Sequence, residues 1–445
     1  VLQNQREMKN FAKAILYIIV LLFYSCSSPA HKQTRLSKLC LIADSAGVKM
    51  VDDSLFGKNI FLEVPSIDAG NSALDAFFVA LHRNSKVVRI AHWGDSQIEG
   101  GRLSKELRTY FQNIFGGQGV GYVPIVDITS PVSYSYSSSK NWMRYTFFHH
   151  RLQNSWYGPG GSAFKPVSFA VIEDSTQVSD SIILGASSFI NAFVNFTLPF
   201  SYERAVLWYG PVDKPTKVRI FKDGKQDQVY LTLDGTNSWN EVEIHGQTHH
   251  LKLVFPLESP LIYGLSFESS RGVVIDNFGL RGHSGDGILL VRDEVLKKYV
   301  ENKNVELLIF QFGANVIPYL HDEKSVNEAI QMYDKILQRM RILFPKRSML
   351  FIGPGDMPLR GKFASNPFIK TFNEKLKNIA LKNGCAYFDV YGFMGGEGSL
   401  GKWIKNKLAS EDGHFTNEGR ELLAREIMIE LLHSYHLFLL KKNDL

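Results

Sequence analysis

The chain reads as an α/β protein: a parallel sheet covered by helices on both faces, interrupted near its middle by an inserted β-sandwich domain. Three observations predict this. Short β-branched and apolar runs alternate with helical patterns before residue 125 and again after residue 270, as in a parallel sheet with crossover helices. Between those limits the sequence turns to Ser, Tyr, Phe and Trp, with closely spaced strand-like runs and no long helical stripe, which suits a sandwich. At 445 residues the chain is also long enough for two or three domains.

The N-terminus reads as a targeting segment. Met8 looks like its start, Lys9 and Lys13 supply positive charge, and residues 14–24 are an apolar run that ends in Ser25-Cys26-Ser27-Ser28. The run is short for a membrane span and right for a signal peptide. A small residue before the cysteine resembles a bacterial lipobox. Residues 1–28 are therefore expected to be a lipoprotein signal peptide with Cys26 as the lipidation site; the alternative is an ordinary signal peptide with an incidental cysteine. Either places the mature protein outside the cytoplasm. The expectation is a bacterial cell-envelope protein, lipid-anchored to a membrane, periplasmic or outer-membrane, with residues 29–59 as a polar tether.

Residues 60–124 form the first part of the α/β domain. Residues 73–84 have a helical pattern, 87–91 a buried-strand pattern, and Leu103, Leu107 and Phe111 recur at helical spacing until Gly116-Gly117 stops them. Residues 125–270 are the insert. Its strand-like runs are 182–184, 189–198, 205–209, 218–221, 229–233 and 251–255; Asp223-Gly224 signals a hairpin, and 134–139 read as a loop at the crevice rim. Residues 271–445 return to alternation. Strands are expected at 272–275, 305–312, 348–352 and 386–390. Val326, Ile330, Tyr333, Leu337 and Met340 make one helical stripe, Asn366-Pro367 opens a helix that Asn383-Gly384 closes, and Leu423, Ile427 and Leu431 mark a last helix.

Composition excludes several functions. A net charge of +6 from scattered basic residues argues against a nucleic-acid partner. Cys26, Cys40 and Cys385 form neither a disulfide framework nor a zinc pattern, and Cys385 reads as a small buried residue. Adjacent histidines on a strand, as at His149-His150 and His249-His250, point to opposite faces. No metal and no organic cofactor are expected.

Chemistry is expected at the strand ends, because the crevice of an open α/β sheet lies beyond the carboxyl ends of its strands. Four polar clusters fall there. Gly94-Asp95-Ser96-Gln97 follows the first strand and exposes a hydroxyl on a tight turn. Asn277 to Gly282 follows the next strand of this domain, and a glycine there lets a backbone N–H approach a substrate oxygen. Gly313-Ala314-Asn315 brings a side-chain amide to the same region. Glu411-Asp412-Gly413-His414 precedes the last helix and pairs a histidine with nearby carboxylates, a base with its orienter. Each cluster alone has an ordinary reading as a turn or a cap; their joint order carries the inference.

These clusters resemble the Ser, Gly, Asn and His blocks of the SGNH/GDSL hydrolase superfamily, over about half of the chain. The resemblance implies a flavodoxin-like three-layer α/β/α fold, with Ser96 as nucleophile and His414 as base. The Ser96 N–H, the Gly282 N–H and the Asn315 amide would form the oxyanion hole. The wide gap from Ser96 to Gly282 resembles bacterial peptidoglycan O-acetylesterases, in which a carbohydrate-binding-like β domain interrupts the SGNH domain. Two departures stand out. Val316 follows Asn315 where the family usually has Asp, and the family's usual carboxylate position, three before the histidine, holds Glu411. Both Glu411 and Asp412 remain candidates to orient His414, with Asp412 preferred for its residue type and for the bend that Gly413 allows.

The function expected is a serine esterase removing acyl groups, O-acetyl above all, from cell-envelope glycans such as peptidoglycan. The alternatives are an O-acyltransferase on an envelope polysaccharide and an inactive glycan-binding surface lipoprotein. Because all four clusters lie outside the insert, it is expected to select the acylated glycan and to take no part in chemistry. Trp142, Trp156, Trp208 and Trp239 lie in it, open either to sugar stacking or to core packing.

Overall fold

The computed structural model describes residue 67 and residues 72–168, 191–226, 230–358 and 364–443. The expected signal peptide with Cys26, the tether and the 182–184 run lie outside these residues. No helix among the described residues is long and apolar enough to cross a membrane.

In chain order the elements are α1 (Asp75–Arg83), β1 (Val87–Gly94), α2 (Arg102–Phe115), β2 (Gly121–Val123), β3 (Ser135–Ser138), β4 (Trp142–Thr146), β5 (Ser162–Pro166) and β6 (Ala192–Tyr209). Then come β7 (Thr216–Lys222), β8 (Lys225–Gln226), β9 (Leu231–Leu233), β10 (Asn240–Phe255), β11 (Ile262–Glu268), β12 (Gly272–Gly279), α3 (Asp293–Asn302) and β13 (Val305–Gln311). The chain closes with α4 (Glu323–Leu343), β14 (Ser348–Ile352), α5 (Ile369–Lys382), β15 (Ala386–Phe388), α6 (Val390–Met394), α7 (Ser399–Lys405) and α8 (Asn417–Asn443).

Five strands form one parallel sheet in the order β12-β1-β13-β14-β15. Counted within this sheet, the order is 2-1-3-4-5, the flavodoxin-like arrangement, whose ligand site lies where the winding reverses beside the first strand. Side chains alternate across it, as strand geometry demands. Val88, Ile90, Leu307, Ile309, Leu350 and Ile352 face one core with α1, α2 and α8. Ala91, Trp93, Leu308, Phe310, Met349 and Phe351 face the other with α3, α4 and α5. Cys385 is fully buried in that second core.

The strand expected at 87–91 runs on to Gly94, because β12 and β13 pair with His92, Trp93 and Gly94 from either side. His92 can lie fully buried there: its ring bonds Gln311 at 3.1 Å and Ser104 at 2.9 Å. Burial lowers its pKa to about 3, against the hydrogen bond to Gln311. It is a neutral packing residue.

The insert is an antiparallel sheet folded across itself. The expected runs near 189–198 and 205–209 are one strand, β6, because β10 pairs along both of its halves through register shifts at His245 to His250. Each half gathers its own neighbours. β3 joins the first half of β6, while β11 joins the second. Phe196 and Phe267, from opposite halves, meet at 5.6 Å, so the halves close over a shared core. Asp223-Gly224 joins β7 to β8 as a two-residue hairpin, with Lys222 opposite Lys225. Two boundaries differ from expectation. β2 pairs with β11, so the antiparallel sheet already includes Gly121–Val123. Residues 135–138, read as loop, are β3.

The insert does not hang free of the α/β domain. Tyr122, Trp208, Trp239 and Tyr263 share one core with Trp93, Phe278 and Tyr299. Trp208 stacks on Tyr122 at 5.5 Å and meets Trp239 at 5.0 Å. Beside these rings Arg89 of β1 donates to both Asp276 oxygens at 2.8 and 2.9 Å and also to Glu268 of β11. All three are essentially inaccessible. Stranding one charge of such a buried group costs about 3–5 kcal/mol, so the seam resists separation. Of the four insert tryptophans, Trp142, Trp208 and Trp239 are buried, and Trp156 is half-buried under the Arg292 guanidinium at 4.0 Å. All four therefore pack within the protein.

Candidate active site

β1 ends at Gly94, level with Gly279 of β12 and Gln311 of β13. The Ser96 turn, the Gly282 turn and the Asn315 loop thus leave three adjacent strands at one edge of the sheet. The Ser96 turn is tight: Ile98 and Glu99 N–H both bond the Asp95 carbonyl at 3.2 Å. The Arg102 guanidinium bonds the Ser96 carbonyl at 2.6 Å. Asp95 is buried behind the turn and takes the Gln97 N–H at 2.9 Å. Burial pushes its carboxyl up to about 7, and that hydrogen bond opposes the rise.

The fourth cluster comes from the other end of the chain. Ser96 Oγ lies 2.6 Å from His414 Nε2, across 318 residues of sequence. His414 Nδ1 lies 2.8 Å from Asp412 Oδ2. An ionised carboxylate can only accept, so Nδ1 carries the hydrogen and Nε2 is left to accept from the serine hydroxyl. Gly413, at φ 83°, supplies the bend that folds Asp412 back on a histidine only two residues away. Asp412 also accepts Ser410 Oγ at 2.5 Å and the His414 N–H at 3.2 Å. Partial burial raises its carboxyl pKa, but the hydrogen bonds from Ser410 and His414 outweigh that and leave it below the ordinary value. Glu411 is exposed and makes none of these contacts.

The proposed oxyanion donors are less completely described by contacts. Among the described residues neither the Ser96 N–H nor the Gly282 N–H has an acceptor in the protein. Both are free for a substrate oxygen. Gly282 is exposed, with φ 74°, a conformation that favours glycine. Asn315 Nδ2 gives one hydrogen to the His283 carbonyl at 3.2 Å, which fixes the amide and leaves its second hydrogen. His283, next to Gly282, is no rival base: burial lowers its pKa to about 3, and its Nε2 accepts the Gly287 N–H at 2.9 Å.

Gln97 was not singled out from the sequence. Its amide donates to the Gly413 carbonyl at 2.9 Å and accepts the Phe415 N–H at 3.3 Å. It clamps the histidine loop to the serine turn. Nothing in the sequence marks it beyond adjacency to Ser96, because its partners stand more than 300 positions away. Ser410, which steadies Asp412, was missed for want of any pattern of its own. No group of three or more His, Cys, Asp or Glu side chains among the described residues could hold a metal ion.

Residues 265–422 match the model of the GDSL-like lipase/acylhydrolase family. No curated protein matches the chain in sequence. Among solved structures, one of a peptidoglycan O-acetylesterase in action covers 82% of this chain and 96% of its own at 17% identity, with a TM-score of 0.63. The two share their fold across both domains. A carbohydrate esterase of family two from Clostridium thermocellum, in complex with cellohexaose, covers 56% of this chain and 94% of its own at 10% identity, with a TM-score of 0.25. An acetylxylan esterase from Geobacillus stearothermophilus covers 36% of this chain and 72% of its own at 16% identity, with a TM-score of 0.27. Residues 265–422 thus carry a GDSL-like acylhydrolase domain, that of a carboxylic ester hydrolase.

Proposed function

We propose that this ester hydrolase removes O-acetyl groups from a cell-envelope glycan, peptidoglycan foremost, through an acyl-enzyme on Ser96. The observation that carries the reading is the hydrogen-bonded line Ser96–His414–Asp412 at the carboxyl edge of the sheet, within a two-domain fold shared with a peptidoglycan O-acetylesterase. His414 Nε2 takes the Ser96 proton as Oγ attacks the acetyl carbonyl. Asp412 holds the imidazole in the tautomer that can do so and stabilises the imidazolium that forms. Negative charge gathers on the carbonyl oxygen, where the Ser96 N–H, the Gly282 N–H and the Asn315 amide receive it; such preorganised donors usually supply the largest share of the acceleration. The sugar hydroxyl leaves with the His414 proton, and water then frees acetate by the same route in reverse. An envelope location with a lipid anchor at Cys26 fits this substrate and is part of the proposal.

The test is acetate release from O-acetylated peptidoglycan by the purified chain, with an aryl acetate alongside. Acetate is expected from both. Turnover of the aryl acetate without release from any O-acetylated glycan would overturn the substrate reading, and acetyl groups appearing on an added glycan acceptor instead of in water would make the protein a transferase.

A further inference from the structure

A second cleft opens along the seam between the two domains, beside the Ser96 turn. Glu99, Arg108 and Leu280 line it from the α/β domain; Asp127, Tyr134 and Arg144 line it from the insert. The enclosed space within it is about 40 Å³, room for a small polar group such as a carboxylate and not for a whole sugar. Glu99 lies three residues past Ser96 and Leu280 two before Gly282, spans of at most about 11 Å and 7 Å of extended chain. A group seated in the cleft is therefore close enough to belong to a substrate whose ester sits at Ser96.

The charged groups in the cleft are committed to neighbours, with one exception. Glu99 holds Arg281 through its Nε at 2.9 Å and its N–H at 3.2 Å. Asp127 accepts the Thr129 N–H at 3.2 Å and its hydroxyl at 3.3 Å. Arg108 gives its hydrogens to the Val120 carbonyl at 2.8 Å and Ser133 Oγ at 2.7 Å. Arg144 on β4 has no hydrogen-bond or ion-pair partner among the described residues, and its Nε is buried. A guanidinium keeps its charge at any ordinary pH and offers five donors in a plane. Of the cleft's carboxylates, Asp127 and Glu99 favour its charge, but neither accepts its hydrogens, and buried donors left unpaired are costly.

We propose that the cleft is a subsite for a carboxylate carried on the glycan beside the acetylated sugar, with Arg144 as its recognition cation. The inference rests on the glycan reading above. Two coplanar oxygens match the guanidinium fork. The nearby Glu99 and Asp127 disfavour a doubly charged group such as a phosphate. Binding there would hold the ester in register with Ser96 and leave the chemical step to the residues already described.

The test uses the Ser96→Ala chain, which binds without turnover. The first probe is the disaccharide of N-acetylglucosamine and N-acetylmuramic acid, which bears one lactyl carboxylate. Its primary amide is the neutral counterpart, and a glucuronic-acid disaccharide tells a uronic acid from the lactyl group as source. At least one acid should bind roughly tenfold more tightly than its neutral counterpart, a difference of about 1.4 kcal/mol. Adding Arg144→Gln should erase that difference, and Arg144→Lys should keep part of it. Equal binding of acid and amide, or no binding of either acid, would overturn the subsite. Should the Arg144→Gln chain fail to fold, the comparison of acid with amide on Ser96→Ala alone decides. Failure of the glycan reading would show separately, as wild-type protein that releases acetate from no glycan.

Discussion

Replacing Ser96 by alanine should lower kcat for an aryl acetate at least about a thousandfold, the loss expected when a member of such a triad is removed. The fold should be untouched. Among the described residues Ser96 Oγ has one partner, His414 Nε2, and the turn around it is held by the Asp95 carbonyl, Gln97 and Arg102 rather than by the hydroxyl. The variant's thermal unfolding should therefore coincide with that of the parent. A loss of less than about tenfold with the fold intact would place the nucleophile elsewhere.

Changing Asp412 to asparagine should lower kcat by about 10⁴-fold at neutral pH, as when an orienting carboxylate becomes an amide. The amide can present an N–H to His414 Nδ1, which favours the imidazole tautomer with its hydrogen on Nε2. That tautomer cannot accept the serine proton. Glu411→Gln should change kcat less than about twofold, since Glu411 is exposed and does not reach His414. Asp412 should not limit activity on mild acidification. The hydrogen bonds from Ser410 and His414 hold the Asp412 carboxyl below its ordinary value despite partial burial, so it stays ionised where a free aspartate would take up a proton. Comparing kcat for the two amide variants separates these roles, and damage from Glu411→Gln alone would assign the orienter to the position three before the histidine.

The parallel sheet was legible because its strands are short apolar runs separated by helical stripes, and a strand buried on both faces has little freedom to be anything else. The serine turn and the histidine loop were legible for a related reason. Polar residues set directly after such runs must lie at the sheet's carboxyl edge, wherever they stand in the sequence. The long strands of the insert were not legible as single elements. The 199–204 stretch of β6 carries Pro199 and charged residues, and it is pairing with distant strands, β10 above all, that keeps it extended. The seam also escaped notice. Trp208 and Trp239 were open to sugar stacking, and it is Tyr299 of the other domain that packs against both. Because of this shared core, cutting out the insert would strip cover from the α/β domain and strand Arg89 without Glu268. Choosing between Glu411 and Asp412 needed the backbone itself, since one residue type matched the usual position and the other the usual chemistry.

The most direct test of the account is to catch the acyl-enzyme. The chain is mixed rapidly with an aryl ester of a slowly hydrolysed acid, quenched in acid, and its intact mass and peptides are measured. One acyl group should appear per chain, on the peptide that contains Ser96. It should be absent from the Ser96→Ala chain and should accumulate within a burst of released phenol. Steady turnover with no covalent adduct, or an adduct that persists on another residue in the Ser96→Ala chain, would contradict it.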